Sequence, residues 1–133
     1  MPVELSMEEQ EIVSYVVGKR LTMTSYERLW ATLMACKHVI SANIEGDFVE
    51  CGVWRGGHAL LAAAIFKLHK CERNLFLFDT FEGMTKPTDR DRQFEDNGFA
   101  MEQYQGHDAG ADNAWCYSSL QDVTWISELN RRS

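Results

Sequence analysis

The segment from residue 48 to residue 78 constrains the fold more than any other part of the chain. Phe48–Cys51 and Leu75–Phe78 are short apolar runs that predict strands, the second of them buried. Between them lie the glycine-rich stretch Gly52–Gly57 and a helical segment, His58–Lys70, that is apolar on every side over most of its length. A helix apolar all round needs cover on more than one face, as a helix lying on a sheet has. Strand, glycine loop, helix and strand predict a βαβ unit and thus an α/β fold.

Helices are predicted on the amino-terminal side of this unit. Ser6–Glu9 has the form of a capping box, and apolar residues recur after it at helical spacing until Gly18. Thr24 or Ser25 could cap a second helix, whose apolar stripe ends near Ala42–Asn43. Two helices are therefore expected before the first strand.

The pattern weakens beyond Gly83. Lys86–Asn113 is polar and acidic, which predicts a long loop or short irregular helices. Ser118–Val123 could open a last helix, with Val123, Ile126 and Trp125 facing inward. We expect one partial domain over residues 1–133, with amino-terminal helices (1–43), a βαβ core (44–84), and a loop with a terminal helix (85–133).

The charge balance excludes some classes of partner. Thirteen Lys and Arg residues against twenty Asp and Glu residues give a net charge of −7, so no positive field exists to attract nucleic acid. The longest apolar stretch, Ala59–Phe66, is far shorter than the roughly 20 residues of a membrane-spanning helix. The first residues carry acid where a secretory signal carries base. A cytoplasmic protein without membrane contact is expected, with four reduced thiols at Cys36, Cys51, Cys71 and Cys116.

The strongest chemical signal lies at the carboxyl ends of the two predicted strands. Glu50 stands near the end of the first strand, and Gly52 after it permits a tight turn. Gly56 and Gly57 let the backbone approach both a ligand and the helix. Asp79 ends the second strand, near the spacing at which a strand-end acid receives two ribose hydroxyls.

This loop differs from the dinucleotide-binding fingerprint, because Trp54 stands where the middle glycine is needed. Glu50 would repel a diphosphate but can pair with an ammonium group. An adenosine with an amino-acid tail fits both acids, which points to S-adenosylmethionine rather than NAD. The structural alternative is that Glu50 pairs with Arg55 and that Asp79 caps a turn.

Four phrases of the sequence resemble the macrocin O-methyltransferase (TylF/MycF-type) family in order and spacing. They are Thr22-Met23, Tyr26-Glu27-Arg28-Leu29, the run from Gly46 to Gly57 and the run from Leu77 to Met84. The strings Glu-Cys-Gly-Val-Trp-Arg-Gly-Gly and Phe-Asp-Thr-Phe-Glu-Gly are together highly specific. The resemblance implies a Rossmann-like class I methyltransferase fold, of which this chain would hold the N-terminal part. It also implies S-adenosylmethionine as cofactor and magnesium-assisted methylation of a sugar hydroxyl on a natural product.

The resemblance also assigns cofactor-binding residues by position. Thr22 and Met23 would flank the methionine end of the cofactor, and Asp79 would take the ribose. The remaining assignments are Glu50, Gly52, Trp54, Arg55 and Gly56 for the loop, Thr80, Phe81, Glu82 and Gly83 for the adenosine side, and Ser119 or Ser118 as a weaker carry-over.

The sequence departs from the family in two respects. Family members continue through further strands that hold the metal-binding aspartates and the catalytic acid or base, so catalytic residues stay unknown and no metal ligand is assigned. Asp89, Asp91 and Asp96 match only in being acids, and a solvated loop is the better interpretation. His58 stands where the family commonly has serine, and its ring would crowd the cofactor's carboxylate or donate to it.

The expected function is methyl transfer to a hydroxyl of a sugar or other small natural product, by a fragment that lacks the metal-binding and catalytic half. A second copy or a completing partner chain could supply the rest. The alternative is a non-catalytic remnant or assembly module of the same fold. Three other predictions concern side chains outside the loop. Trp30 lies in the core; His38, His69 and His107 have no partner at useful spacing and are surface or loop residues; and Tyr104, Trp115 and Tyr117 could border an acceptor pocket.

Overall fold

A computed structural model describes residues 5–92, 97–102 and 116–131, with the backbone alone over 126–131. Its helices and strands run in the order α1 (Met7–Gly18), α2 (Tyr26–Ser41), β1 (Phe48–Cys51), α3 (Gly57–Leu68), β2 (Leu75–Phe78) and α4 (Leu120–Arg131). The βαβ unit and the two helices before it are therefore confirmed. Of the side chains named above, Asp96, Tyr104, His107, Trp115 and Ile126 lie outside the described residues.

α1 begins with the predicted capping box, and the same residues connect it to its neighbours. The Ser6 hydroxyl accepts the Glu9 N–H at 3.2 Å, and the Glu9 carboxylate accepts the Ser6 N–H at 2.9 Å. That carboxylate is almost fully buried and lies 2.8 Å from the Lys37 ammonium of α2. His69, just beyond α3, lies 3.3 Å from it, so the prediction that His69 has no partner is wrong. Glu9 therefore connects α1 with α2 and with the end of α3. His38, the other histidine of this group that is described, is exposed, as predicted.

β1 and β2 form a parallel pair in which Phe48 lies opposite Leu75. One face of this sheet packs on the helices. The other face carries exposed apolar side chains: Val49 and Phe78 are each 59% exposed, and Phe76 is 48% exposed. The prediction that the second strand is buried is therefore correct for one face only, since no layer among the described residues covers the other.

α3 is the central helix and packs against α1, α2, α4 and β2. Its buried side chains lie around its whole circumference, which confirms the prediction that it is covered on more than one face; they are Ala59, Leu60, Leu61, Ala62, Ala63, Ile65 and Phe66. Trp30 of α2 is partly buried against this core, as predicted. The helix ends two residues earlier than expected, because the backbone turns left-handed at Lys70, with φ of 53°.

Gly57, the first residue of α3, makes a close backbone approach to the segment between α1 and α2. Its N–H donates to the Leu21 carbonyl oxygen at 3.0 Å. A Cβ added at Gly57 would lie 2.5 Å from that oxygen and 3.0 Å from the Cβ of Thr22. The segment between α1 and α2 is therefore held against the start of α3 in a way that only glycine permits.

α4 begins at Leu120, two residues after its predicted opening. Ser119 caps it: the Ser119 hydroxyl donates to the Asp122 carboxylate at 2.7 Å and accepts the Asp122 N–H at 3.2 Å. Val123 is buried and Trp125 is half-buried, as expected. In the part of the chain that is described, no helix has the length and apolar character to cross a bilayer. The four cysteines are free thiols, as predicted.

Candidate functional site at the glycine loop

The Asp79 carboxylate joins the ends of the two strands. Its Oδ2 accepts the N–H groups of Val53 and Trp54 at 2.7 and 3.0 Å, and its Oδ1 accepts the Phe81 N–H at 3.0 Å. Burial opposes ionisation, but these backbone donors outweigh it and lower the pKa of Asp79. The carboxylate therefore holds the glycine loop in place, which is the structural role considered above as the alternative. It leaves at most one of a carboxylate's roughly four acceptor positions for a ligand.

Glu50 is the unsatisfied acid of the site. Its Oε2 atom is buried and has no hydrogen-bond partner among the described residues. The alternative in which Arg55 pairs with it is not seen there, since the Arg55 guanidinium lies over the Trp54 ring, 4.7 Å from its centroid. Burial raises the pKa of Glu50 to about 7; the Ala59 N–H opposes this rise and the charge of Asp79 adds to it. A cation beside Glu50 would therefore satisfy a buried oxygen that is costly to ionise alone.

The loop between these acids has a strained but well-supported backbone. Gly52 and Gly56 have φ of 88° and 78°, in the left-handed region that glycine adopts freely. Trp54 has φ of 48°, which is unfavourable for a large side chain. Its backbone is held by Asp79, and its indole N–H donates to the Tyr117 carbonyl at 3.1 Å. This last contact brings the segment before α4 against the loop.

The loop amides also bear on the choice between nucleotide ligands. A diphosphate bound by such a loop depends on free backbone N–H groups. Two of them, at Val53 and Trp54, donate to Asp79. This engagement adds a physical reason against NAD to the two that the sequence offered at Trp54 and Glu50.

The other residues assigned by resemblance lie around the same loop. Thr22 is beside Gly57, and the Met23 side chain is 57% exposed. Thr80–Gly83 form a turn closed by the Thr80 hydroxyl, which donates to the Gly83 carbonyl at 3.2 Å, while Phe81 packs partly against the core. The pKa of Asp122 is lowered mainly by Ser119 and also by the charge of Arg55, which indicates that the start of α4 lies near that guanidinium.

Sequence reasoning missed two threonines near the loop. His58 lies within 2.8 Å of the Thr24 hydroxyl and of the Thr32 hydroxyl, one at each ring nitrogen. The only sequence signal was the size of the His58 side chain at the start of a helix. Its partners could not be identified, since they lie 34 and 26 residues earlier in the chain.

The described acids beyond the loop are not arranged for a metal ion. Over residues 5–92, 97–102 and 116–131, no three His, Cys, Asp or Glu side chains come together as a metal centre requires. Asp91 instead accepts the N–H and hydroxyl of Thr88, at 2.6 and 2.9 Å. Asp89 is exposed.

The chain is similar to a described family and to several characterised proteins. A family model described as macrocin O-methyltransferase (TylF) matches residues 16–109. Demethyldecarbamoylnovobiocin O-methyltransferase of Streptomyces niveus is 38% identical over 64 residues, which cover 47% of this chain and 24% of that protein. Mycinamicin III 3″-O-methyltransferase of Micromonospora griseorubida is 32% identical over 75 residues, covering 56% of this chain and 30% of the relative. The chain thus spans less than a third of the length of these curated relatives.

A solved structure supports the fold. The O-methyltransferase NovP superposes with a TM-score of 0.67 and 19% sequence identity, over 94% of this chain and 59% of NovP. The likeness confirms a Rossmann-like α/β fold of which this chain has a part.

Proposed function

The chain belongs to the macrocin O-methyltransferase family, and we propose on that premise that its glycine loop binds S-adenosylmethionine for methyl transfer to a hydroxyl group. The observation that carries this proposal is the buried, unpartnered Oε2 of Glu50 beside the loop. We further propose that residues 1–133 form one partial methyltransferase domain with a cytoplasmic location.

Glu50 is assigned to the ammonium group of the cofactor's methionine end. Glu50 is one of the residues that line a groove of about 430 Å³ between α2 and β1, which His58 also lines but none of the other residues assigned to the cofactor does. Burial raises the pKa of Glu50 to about 7, so the carboxyl group is costly to ionise without a positive charge beside it. An ammonium group would supply that charge and a hydrogen-bond donor together. Thr22, which lies beside Gly57, and Met23 are assigned to the same end of the cofactor.

Asp79 is assigned first to the loop and only then to the ligand. Its three backbone hydrogen bonds fix the loop before any ligand arrives, which avoids an ordering cost on binding. At most one acceptor position stays open, and it would suit one ribose hydroxyl. A grip on both hydroxyls would require the Phe81 N–H to move away from Oδ1. The turn at Thr80–Gly83, the loop residues Gly52, Trp54, Arg55 and Gly56, and Ser119 at the start of α4 are assigned to the rest of the adenosine.

The cofactor, when bound, supplies an electrophilic methyl group on a sulfonium sulfur. The protein's part is to hold that group in line with the acceptor oxygen. The relatives named above are O-methyltransferases of natural products, which supports a sugar or a similar small molecule as acceptor here. Magnesium, which the family resemblance implies, is not assigned to any of the described residues.

Titration calorimetry with S-adenosylhomocysteine tests this assignment on the 133-residue chain. We expect the chain to bind S-adenosylhomocysteine, and we expect Glu50→Gln to weaken binding about tenfold because the amide cannot pair with the ammonium group. Glu72→Gln is the matched control, since Glu72 is exposed and lies before β2, and it should bind like the parent. NAD should not compete. Equal affinity of the parent and Glu50→Gln, or displacement of S-adenosylhomocysteine by NAD, would contradict the proposal.

The affinity should also depend on pH in a defined direction. The free site has Glu50 with a pKa of about 7, whereas the complex requires the ionised carboxylate. Binding therefore releases a proton near neutral pH, and the dissociation constant should rise up to tenfold for each pH unit below 7 and level off above it. Calorimetry in two buffers of different ionisation enthalpy measures the proton released. Glu50→Gln should lose this dependence; a pH profile that is the same in both proteins would rule Glu50 out as its source.

A further inference from the structure

His58 stands directly after the glycine loop, and both of its ring nitrogens are already engaged by the protein. Its Nε2 lies 2.8 Å from the Thr24 hydroxyl, in the segment between α1 and α2. Its Nδ1 lies 2.8 Å from the Thr32 hydroxyl on α2. The imidazole is half-buried between these elements. The ring therefore has no nitrogen free to donate to a cofactor carboxylate, which was one of the two roles that its position in the sequence suggested.

The surrounding hydrogen bonds define which nitrogen carries the proton. The Thr32 hydroxyl donates to the Arg28 carbonyl at 3.2 Å, so it must accept from the Nδ1–H of His58. Nε2 is then unprotonated and accepts from the Thr24 hydroxyl. The Thr24 oxygen in turn accepts from the Thr22 hydroxyl at 2.9 Å, and the Thr22 oxygen accepts the Thr24 N–H at 3.0 Å. These hydrogen bonds form a row that runs from the Arg28 carbonyl through Thr32, His58 and Thr24 to Thr22. A neutral imidazole with its proton on Nδ1 satisfies every donor in this row.

A protonated His58 would reverse the row. The imidazolium has N–H groups at both nitrogens, so Nε2 would donate to the Thr24 oxygen instead of accepting from its hydroxyl. The Thr24 hydroxyl would then donate to the Thr22 oxygen, and the Thr22 hydroxyl would lose Thr24 as its acceptor. Burial and the charge of Arg28 both lower the pKa of His58, which keeps the ring neutral at physiological pH.

The row of hydrogen bonds holds the segment assigned above to the methionine end of the cofactor. Gly57 fixes the backbone of that segment at Leu21, and His58 fixes the side chains of Thr22 and Thr24 from the next position along α3. We propose that neutral His58 is a positioning residue, which sets cofactor affinity by holding the Thr22–Thr24 segment in its binding conformation. When His58 is protonated it holds that segment less firmly, because one hydroxyl of the reversed row loses its acceptor. This inference rests on the proposed function, because it takes the Thr22–Thr24 segment as part of the cofactor site.

Several charged groups lie near His58, and one of them, Glu50, also titrates, so its effect must be separated from that of His58. Arg28 faces it from α2, and Glu50 lines the same groove from β1. The remaining charged residues of that groove, Glu45, Asp47 and Arg73, surround the start of β1. Since Glu50 titrates near pH 7 and His58 below its ordinary range, an experiment on His58 needs a background in which Glu50 cannot titrate.

Calorimetry with S-adenosylhomocysteine in the Glu50→Gln background supplies one test. At pH 8, His58→Ala and Thr24→Val should each weaken binding about fivefold, the effect of one net hydrogen bond. The double variant should be no weaker than either single variant, because both remove the same contact. His58→Gln should bind like the background protein, since its amide oxygen can accept from Thr24, and its affinity should not fall between pH 8 and pH 5, whereas that of the histidine protein should. His38→Gln, on the exposed face of α2, is the matched control.

Nuclear magnetic resonance supplies a test that needs no ligand. The imidazole nitrogen shifts should report a proton on Nδ1, and titration of His58 should move the amide signals of Thr22 and Thr24 in the parent but not in Thr24→Val. Additive losses in the double variant, or amide signals that ignore the His58 titration, would overturn the inference while leaving the proposed function intact. If the parent chain does not bind S-adenosylhomocysteine, the proposed function fails, and the amide titration still decides whether His58 positions the segment.

Discussion

Lys37→Met should lower the free energy of unfolding by about 3 kcal/mol at pH 7, because it leaves the buried Glu9 carboxylate without its cation. The Glu9 side chain is 2% exposed, so water cannot replace the lost ammonium. The figure is at the lower end of the range for a broken buried ion pair, because the Lys37 side chain is 28% exposed and His69 still contacts Glu9. Urea unfolding followed by circular dichroism measures the loss.

The pH dependence of that loss has a definite sign. In the parent, burial opposes ionisation of Glu9, but Lys37, the Ser6 N–H and His69 together lower its pKa. Their contribution is therefore complete above the unfolded-state pKa and is lost as pH falls through the folded-state pKa. In Lys37→Met the Glu9 carboxyl group can become neutral by taking up a proton. The difference in the free energy of unfolding between the parent and the variant should therefore become smaller below about pH 5.

Lys67→Met is the matched control for Lys37→Met. Lys67 is exposed on α3, and the same substitution there should change stability by no more than about 0.5 kcal/mol. The ion pair would not stabilise the packing of α1 on α2 if the two lysine variants lost similar amounts of unfolding free energy. The same would follow if the difference between Lys37→Met and the parent grew in acid.

Gly57→Ala should cost about 3 kcal/mol, because a Cβ at this position would lie 2.5 Å from the Leu21 carbonyl oxygen. The obstacle is backbone, which cannot rotate away as a flexible side chain can. Either α3 or the segment between α1 and α2 must shift, and the Gly57 N–H bond to Leu21 is strained with it. Thermal and urea unfolding of the parent and the variant measure the cost.

Gly18→Ala tests whether the cost belongs to the site or to glycine in general. Gly18 is the last residue of α1, and an added Cβ there meets no atom within 4 Å. The variant should be neutral or more stable by up to about 1 kcal/mol, since alanine favours helix more than glycine does. If the two alanine variants behaved alike, the close approach at Gly57 would have no energetic importance.

Local sequence signals gave correct predictions where the interactions involved lie within one short segment. The capping box at Ser6–Glu9 and both strands were predicted because caps and short apolar runs depend on neighbours a few residues away. The exposed side of the sheet was not predicted. Phe76 and Phe78 are as apolar as buried residues, and only the arrangement of the helices leaves them uncovered.

The candidate site divides in the same way. Glu50, Asp79 and the glycines between them could be singled out because strand ends and left-handed turns restrict residue type. The different roles of the two acids could not be predicted from the sequence. That Asp79 is satisfied by backbone N–H groups and Glu50 is not depends on how the loop folds back on the end of β2.

The sequence by itself determined the family, the order of helices and strands, and the position of the glycine loop, because each rests on residue types at short spacing. The tertiary structure alone decided the long-range partners of Glu9 and all the partners of His58, since these contacts join residues from 26 to 60 positions apart. Periodicity along the chain carries no information about such distances. Only the packing of α1 and α2 on α3 brings those side chains within hydrogen-bonding range.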